Sequence, residues 1–256
     1  MSAPRDGQDR DRWASRTVQV LFVLLLIGAW YLGTTWGHIS PILLPNPVET
    51  FHELVDVIST GEFIPDLRVT LGELAVAFVV AVILGTIVGY PVSRSPYLIR
   101  VFEPLFAGIY SIPIILFLPL YVLLFGLGPA SKIALGATIG FFPIVLSTIA
   151  GFGYVERIFI TSARSMGASN IQLFRYVLLP AALPVIITGW RIGFTTALLA
   201  ILGSETIASL AGLGYRIRQL SDAMDMARMF AYVAFAVAIA ALLNAAVSSL
   251  EARGKR

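Results

Sequence analysis

The 256 residues contain no cysteine and only two histidines. A disulfide scaffold, a zinc–cysteine module and thiol chemistry are therefore excluded, while the redox compartment is left open. Charge is nearly as scarce: Asp, Glu, Lys and Arg make up 13% of the chain, against about 25% in an average soluble domain. That leaves too little polar surface to coat a water-soluble globule, which argues against a soluble enzyme and against a disordered tail. The net charge is only +3, with no long basic run interleaved with aromatics, so no nucleic-acid partner is expected. What is abundant is apolar: 57% of the residues are hydrophobic and the mean hydropathy is +0.85. The composition is that of an integral membrane protein.

Crossing a bilayer takes about 20 mostly apolar helical residues. Uncharged runs of that order predict spans at Thr17–Gly37, Leu74–Ser93, Pro104–Ser131, Ile133–Val155 and Met229–Leu250, with a sixth, Tyr176–Ser204, interrupted only by Arg191. Gly126-Leu127-Gly128-Pro129 and the residues up to Lys132 read as a tight turn between the third and fourth. The third, with Pro113 and Pro119 inside it, is long enough to be tilted or kinked. The fold expected is all-α, with six transmembrane helices in one domain over 17–250.

The polar stretch Met1–Arg16 leads into an apolar segment too long for a signal peptide and lacks a small-residue cleavage site, so 1–16 reads as a cytosolic tail, as does 251–256. With both termini cytosolic, Arg5, Arg10, Arg12, Arg16, Arg94, Arg100, Arg157, Arg164, Arg175, Arg253, Lys255 and Arg256 share one side. The other side holds Arg68, Lys132, Arg216, Arg218 and Arg228, beside the acids Glu49, Glu53, Asp56, Glu62 and Asp66. The positive-inside rule selects that orientation. In the first outer loop, Asn46-Pro47-Val48-Glu49 reads as an N-cap, a first-turn proline and an acid near the exposed amides. Val48, Phe51, Leu54, Val55 and Ile58 follow at helical spacing, predicting an amphipathic helix over about 47–60 on the membrane surface or on its own bundle.

The cytosolic segment at about 155–176 is the most informative. A helix of small and polar residues runs to Gly167, which ends or bends it. Ser169 then caps a second short helix containing Gln172, Phe174 and Arg175, and Pro180 enters the fifth span. Ile160, Met166, Ile171 and Leu173 are expected to be exposed among charges, which points to a docking surface or to packing on the helix ends.

Thr161-Ser162-Ala163, then Gly167, then Val177-Leu178-Leu179-Pro180 resembles the "EAA" loop of ABC importer permeases: E-A-A, three residues, G, nine residues, I-x-L-P. Leu44-Pro45-Asn46-Pro47, Ala181-Ala182-Leu183-Pro184, Thr188-Gly189-Trp190-Arg191 and Gly203-Ser204-Glu205 with Gly212-Leu213-Gly214-Tyr215 are similar to the nitrate, aliphatic-sulfonate and taurine type. The likeness runs from about Leu44 to the C-terminus. It departs in two places: Thr161 and Ser162 stand for the motif's Glu-Ala, and Thr70-Leu71-Gly72-Glu73 puts a carboxylate where relatives often carry arginine.

The resemblance implies a type I ABC importer permease in the bacterial inner membrane. Its partners would be a second permease subunit, taken as a copy of this chain, two ABC ATPase subunits, a substrate-binding protein and membrane lipid. Thr161, Ser162, Ala163, Arg164, Ser165, Met166, Gly167, Ala168, Ser169 and Gln172 would form the ATPase-coupling loop. The cargo implied is a small anion such as a sulfonate, nitrate or organic acid. The chain has no Gly-x-x-x-x-Gly-Lys-Ser/Thr loop, so it is not read as an enzyme; ATP and Mg²⁺ would be held by the partner ATPases.

Ionisable groups inside spans default to function. Arg191 faces the translocation path or pairs with Glu103 or a backbone carbonyl. Glu205 shapes the outer gate or makes a structural hydrogen bond. Glu73, a third path candidate, and Glu103 sit near helix ends, within reach of the interface. Gly85 and Gly89 permit close helix approach. His38 and His52 are isolated, so no metal site follows. The rival reading, a self-contained secondary transporter or channel, calls for an inverted repeat or intramembrane acid pairs, and neither is visible in the sequence.

Overall fold

The computed structural model describes residues 5–37, 39–40 and 43–254, with side chains from 17 to 249 within that range. Met1–Pro4, His38, Lys255 and Arg256 lie outside the described residues, as do the side chains of Arg5, Arg10, Arg12, Arg16 and Arg253. Among the described residues every regular element is helical. In order they are α1 (Arg5–Thr35), α2 (Pro47–Thr60), α3 (Ile64–Ser93), α4 (Pro96–Tyr110), a 3-10 turn (Ile114–Phe117), α5 (Leu118–Phe125), α6 (Pro129–Gly153) and α7 (Arg157–Ser165). There follow α8 (Asn170–Leu173), a π turn (Phe174–Leu178), α9 (Leu179–Ile207), α10 (Leu213–Asp222) and α11 (Met226–Gly254).

Five helical stretches are long and apolar enough to cross a membrane: Thr17–Thr35, Ile64–Ser93, Pro129–Gly153, Asn170–Ile207 and Met226–Ser249. A sixth crossing is made if Pro96–Tyr110 and Ile114–Phe125, bent by 71° at their junction, count as one broken span. The third span is thus not one long helix over 104–131. It begins at Pro96 and breaks before Pro113, whose ring clashes with the carbonyl four residues back and pushes Ile112 out of helical geometry. Pro119 causes no break, because it falls in the first turn of α5, where a missing N–H costs nothing. The helices also outrun the uncharged stretches. α3 starts at Ile64, with Pro65 and Asp66 in its first turn, so Glu73 lies well inside it. Lys132, expected in a turn, lies inside α6.

The chain divides into two compact units. In the first, residues 1–61 and 219–234, Asn46 caps α2 by accepting from the Val48 amide at 2.9 Å. Trp30 Nε1 donates to Pro45 O at 3.0 Å and ties α1 to the approach of α2. Arg228, in the first turn of α11, reaches Asp56 at 3.3 Å and Glu53 at 3.7 Å on α2. Val48, Phe51, Val55 and Ile58 of α2 stay exposed, and Val48 and Phe51 line a cavity with Leu24, Ile27 and Trp30 of α1.

The second unit, residues 62–218 and 235–256, is built on α3, α6 and α9. Lipid tails are as apolar as leucine, so these helices associate through van der Waals contact, which is strongest where backbones approach closely. α3 presents Ala77, Ala81, Gly85 and Gly89, all buried and spaced by four. A Cβ on Gly85 would sit 2.7 Å from Ile144 Cγ2, and one on Gly89 2.8 Å from Thr148 Cβ. α9 repeats the device with Gly189, Gly193 and Ala197, each buried. The pair Gly85 and Gly89 is therefore one half of a longer small-residue seam. Gly89→Leu, which forces α3 off α6, is expected to destabilise the bundle by about 1–3 kcal/mol. A lowered thermal midpoint in detergent, with no such change for Gly72→Leu on an open face, checks this.

Candidate functional site

Two groups of functional side chains stand at opposite ends of the second unit. At one end, Ala163 and Gly167 close α7. Gly167 has φ +80°, the left-handed region that costs a side-chain-bearing residue about 1 kcal/mol or more. Its amide donates to Arg164 O at 2.9 Å, and the Ala168 amide donates to Ala163 O at 3.0 Å. These paired bonds form a Schellman cap, which explains why a small buried residue and a glycine must be four apart. Ala163 is buried against Leu173 and Leu178, while Thr161, Ser162, Arg164, Ser165 and Met166 face outward.

Ser169 opens the next helix with a capping box: the Ser169 amide donates to Gln172 Oε1 at 2.8 Å, and the Gln172 amide to Ser169 Oγ at 3.3 Å. α8 is not a separate helix docked beside the fifth span. It runs through the π turn at Phe174–Leu178 into α9. The widened turn accommodates Pro180, which has no N–H to donate and would crowd the carbonyl four residues earlier. Met166 and Ile171 are exposed as expected, at 82% and 79%. Leu173 is instead buried and Ile160 half-buried, because α8 turns Leu173 onto Ala163 of α7 and Leu178 before α9, and Ile160 packs against that same cluster. Tyr154, outside the spans, donates to Glu103 Oε2 at 2.9 Å, and that hydrogen bond raises the phenol's pKa above its ordinary value. Glu103 thus has a partner in Tyr154.

At the other end, Glu205 is fully buried near the C-terminus of α9. Thr70 Oγ1 donates to its Oε1 at 2.7 Å, and the Gly214 amide to its Oε2 at 2.8 Å. The Leu213 amide donates to Thr70 Oγ1 at 3.0 Å. The first amides of α10 are therefore held by a carboxylate and a hydroxyl from two other helices, where the helix dipole favours an anion. Gly212, at φ +107°, makes the turn that aims those amides, and Asp66 accepts from the Gly212 amide. Glu62 pairs with Arg216.

Glu73, expected to take an interfacial or a helix-packing role, is 3% exposed and lies packed between helices. It hydrogen-bonds Glu205 and lies within Coulombic range of Lys132. Lys132 thus supplies a positive charge to the buried acid pair. Lys132 is 0% exposed and donates to the carbonyls of Leu127 and, at 3.2 Å, Gly128. It thus anchors the turn before α6 as well as facing the acids. An acid pair within the spans is a feature of the rival secondary-transporter reading, but here each oxygen of Glu205 also accepts from a structural donor, Thr70 or the Gly214 amide. Lys132 is the member the sequence reasoning missed. The signal was that Glu73, Lys132 and Glu205 are single charges in apolar runs, each near the same end of its predicted span.

Arg191 is not part of this cluster, being fourteen residues before Glu205, about 21 Å along the helix. It lines a cavity of about 370 Å³ with Thr188, Ile192, Thr195, Thr196 and Asn244. Thr195 Oγ1 lies 3.3 Å from Asn244 Oδ1 and 3.0 Å from Arg191 O. Of the three path candidates, Glu73 and Glu205 meet and Arg191 stands apart. Among the described residues no His, Asp and Glu side chains gather to hold a metal.

Removing one member of a buried charge cluster strands the others. Glu205→Ala is expected to cost about 3–5 kcal/mol, and Glu205→Gln, which keeps an acceptor for Thr70 or Gly214, less. Thermal melts in detergent, with protease nicking at 208–214 as a local readout, rank the two variants.

Residues 81–253 match the family described as binding-protein-dependent transport system inner membrane component. The taurine transport system permease protein TauC of Escherichia coli is 31% identical over 242 residues, 93% of this chain and 88% of that protein. The formylaminopyrimidine transport permease protein ThiX of Halalkalibacterium halodurans is 29% identical, over 90% of this chain and 92% of its own length. The putative aliphatic sulfonates transport permease protein SsuC of Bacillus subtilis is 27% identical, over 96% and 88%. In fold, the chain is similar to a chain of the MetNI methionine ABC transporter in an inward-facing conformation, with a TM-score of 0.58, 21% identity, and 73% and 94% of the two chains covered. These relatives are transport permeases rather than enzymes, and inner-membrane, multi-pass proteins. Seam, capped turn and spans occur here in a chain that belongs to the binding-protein-dependent permease family of ABC importers.

Proposed function

We propose that this chain forms the translocation path of an importer for a small organic anion and transmits the work of partner ATPases through residues 161–172. The observation that carries the reading is the capped turn at Ala163–Gly167. It buries the motif's alanine, fixes the backbone by two hydrogen bonds, and presents Met166 and Ile171 to solvent. A rigid turn with protruding apolar side chains suits a socket on a soluble subunit. With both termini and this turn in the cytoplasm, two copies of the chain would line the path. Two ATPase subunits holding ATP and Mg²⁺ would grip the turns, and a binding protein would deliver cargo at the opposite face. Closure of the ATPases draws the turns together and rocks the bundles between outward- and inward-facing states. Thr161 and Ser162 at the Glu-Ala positions leave the contact to shape and apolar burial rather than to a carboxylate.

The cargo class rests on Arg191. A guanidinium, an amide and hydroxyls lining an intramembrane cavity favour a sulfonate or carboxylate head. Relatives named for taurine and aliphatic sulfonates agree with that chemistry, whereas those named for formylaminopyrimidine and riboflavin carry other heads.

Copurification with the ATPase subunit tests the coupling role. Deleting Ala163–Gly167 is expected to release the subunit, and Gly167→Val to weaken its retention by about tenfold. A complex of undiminished strength after the deletion overturns the proposal. Since the chain has no cysteine, Ser162→Cys gives a unique label, and an impermeant maleimide is expected to reach it only from the cytoplasmic side. Arg191→Gln is expected to cut sulfonate uptake by about tenfold or more with the ATPase still bound; unchanged uptake removes Arg191 from the path.

A further inference from the structure

A second cavity, of about 250 Å³, lies between α7, the turn joining α3 to α4, and the end of α6. Three arginines from different places in the sequence line it. Arg94 ends α3, Arg157 opens α7, and Arg164 is two turns further along α7 on the same face. No carboxylate lines the cavity, and none of the three arginines makes an ion pair with a described carboxylate. Three like charges around one small space repel each other unless an anion or solvent lies between them.

Arg94 is also held in place. Arg94 Nη1 donates to the Tyr90 hydroxyl at 3.3 Å, and its guanidinium stands 5.8 Å from the Tyr90 ring centre. Tyr90 is itself wedged edge-on against Phe152 and Phe174, at 5.0 and 5.6 Å between centres. Ser95 caps α4 without a side-chain hydrogen bond, and Pro96 and Ile99 of that fifteen-residue helix line the cavity. Phe152, Leu173 and Leu178 add apolar lining. Guanidinium donors together with apolar side chains match a tetrahedral oxyanion esterified to an apolar body.

We propose that this cavity binds a phosphate group, carried by an anionic lipid headgroup or free in solution. Guanidinium forks pair with phosphate oxygens two at a time, which an ammonium does not. Basic pockets between spans on the cytoplasmic side hold such headgroups; the lipid source rests on the orientation given under Proposed function, whereas the free-anion source does not. A phosphate here is bonded at once to α7, which carries the capped turn, and to the α3–α4 turn of the bundle. Occupancy therefore stiffens the joint between the coupling turn and the membrane helices.

The full chain, purified in detergent, is tested in two arms. Native mass spectrometry compares retention of phosphatidylglycerol with that of phosphatidylcholine, and thermal melts follow titration with inorganic phosphate. The double variant Arg94→Gln/Arg164→Gln is expected to lose about tenfold in phosphatidylglycerol retention, in phosphate-induced stabilisation, or in both. Arg100→Gln/Arg175→Gln, which removes two basic residues outside the cavity, is expected to change either by less than about twofold. Arg164→Lys keeps the charge and the fold and is expected to fall between. Loss in the first arm alone assigns a lipid headgroup, and loss in the second alone assigns the free anion. Equal effects of the two double variants, or preference for neither anionic lipid nor phosphate in the parent chain, overturn the proposal. So does release of the ATPase subunit by Arg94→Gln/Arg164→Gln with both phosphate readouts unchanged, since the arginines then serve a protein contact. Labelling of Ser162→Cys from the outer side would overturn the orientation while leaving the inorganic-phosphate arm decisive for the site.

Discussion

The close approach of α3, α6 and α9 is the constraint from which both functional ends follow. Inside a bilayer there is no water to expel between helices, so contact distance decides association. Glycine and alanine at every fourth position of α3 and α9 let the backbones come within reach of α6. A seam of this kind also fixes rotation and depth, because a side chain moved one position along would collide. With rotation and depth fixed, Glu73, Lys132 and Glu205 must meet at one end, and α7 must dock at the other.

The two ends use different chemistry for their different tasks. The Glu205 end is a closed polar network, with the amides of α10, a hydroxyl, two acids and a lysine all buried together. Such a network is costly to disturb, so it holds the segment 208–214 to the bundle. The α7 end is held by backbone hydrogen bonds and a small apolar cluster, and it leaves Met166 and Ile171 uncovered. The first arrangement resists opening, and the second leaves apolar side chains facing solvent. Arg191 lies between them, part-way along the helix that links the two, on a cavity of its own.

The junction between α4 and α5 belongs to the same economy of backbone. Pro113 interrupts the ladder there, and the two pieces are bent by 71°, as one broken span or a re-entrant pair. A non-helical junction at membrane depth is tolerated where protein or a cavity surrounds the freed groups. The fold is thus regular where helices must touch and irregular where proline forbids regularity.

Much of this was legible in residue order alone. Low charge and long apolar runs dictate membrane helices, because an unpaired backbone is untenable in hydrocarbon. The cap at Asn46, the turn at Gly167 and the capping box at Ser169 are local, each formed by residues within five of one another, so their geometry is written in spacing. The motif Ala163-x-x-x-Gly167 is local for the same reason. What tertiary structure alone decided is every pairing between distant helices: Glu205 with Thr70, 135 residues apart, Glu73 with Glu205 and Lys132, and Leu173 turned inward. Whether a lone charge near a span's end snorkels to the interface or closes a buried network depends on what the neighbouring helix presents at that depth, and no single stretch of sequence contains its neighbour.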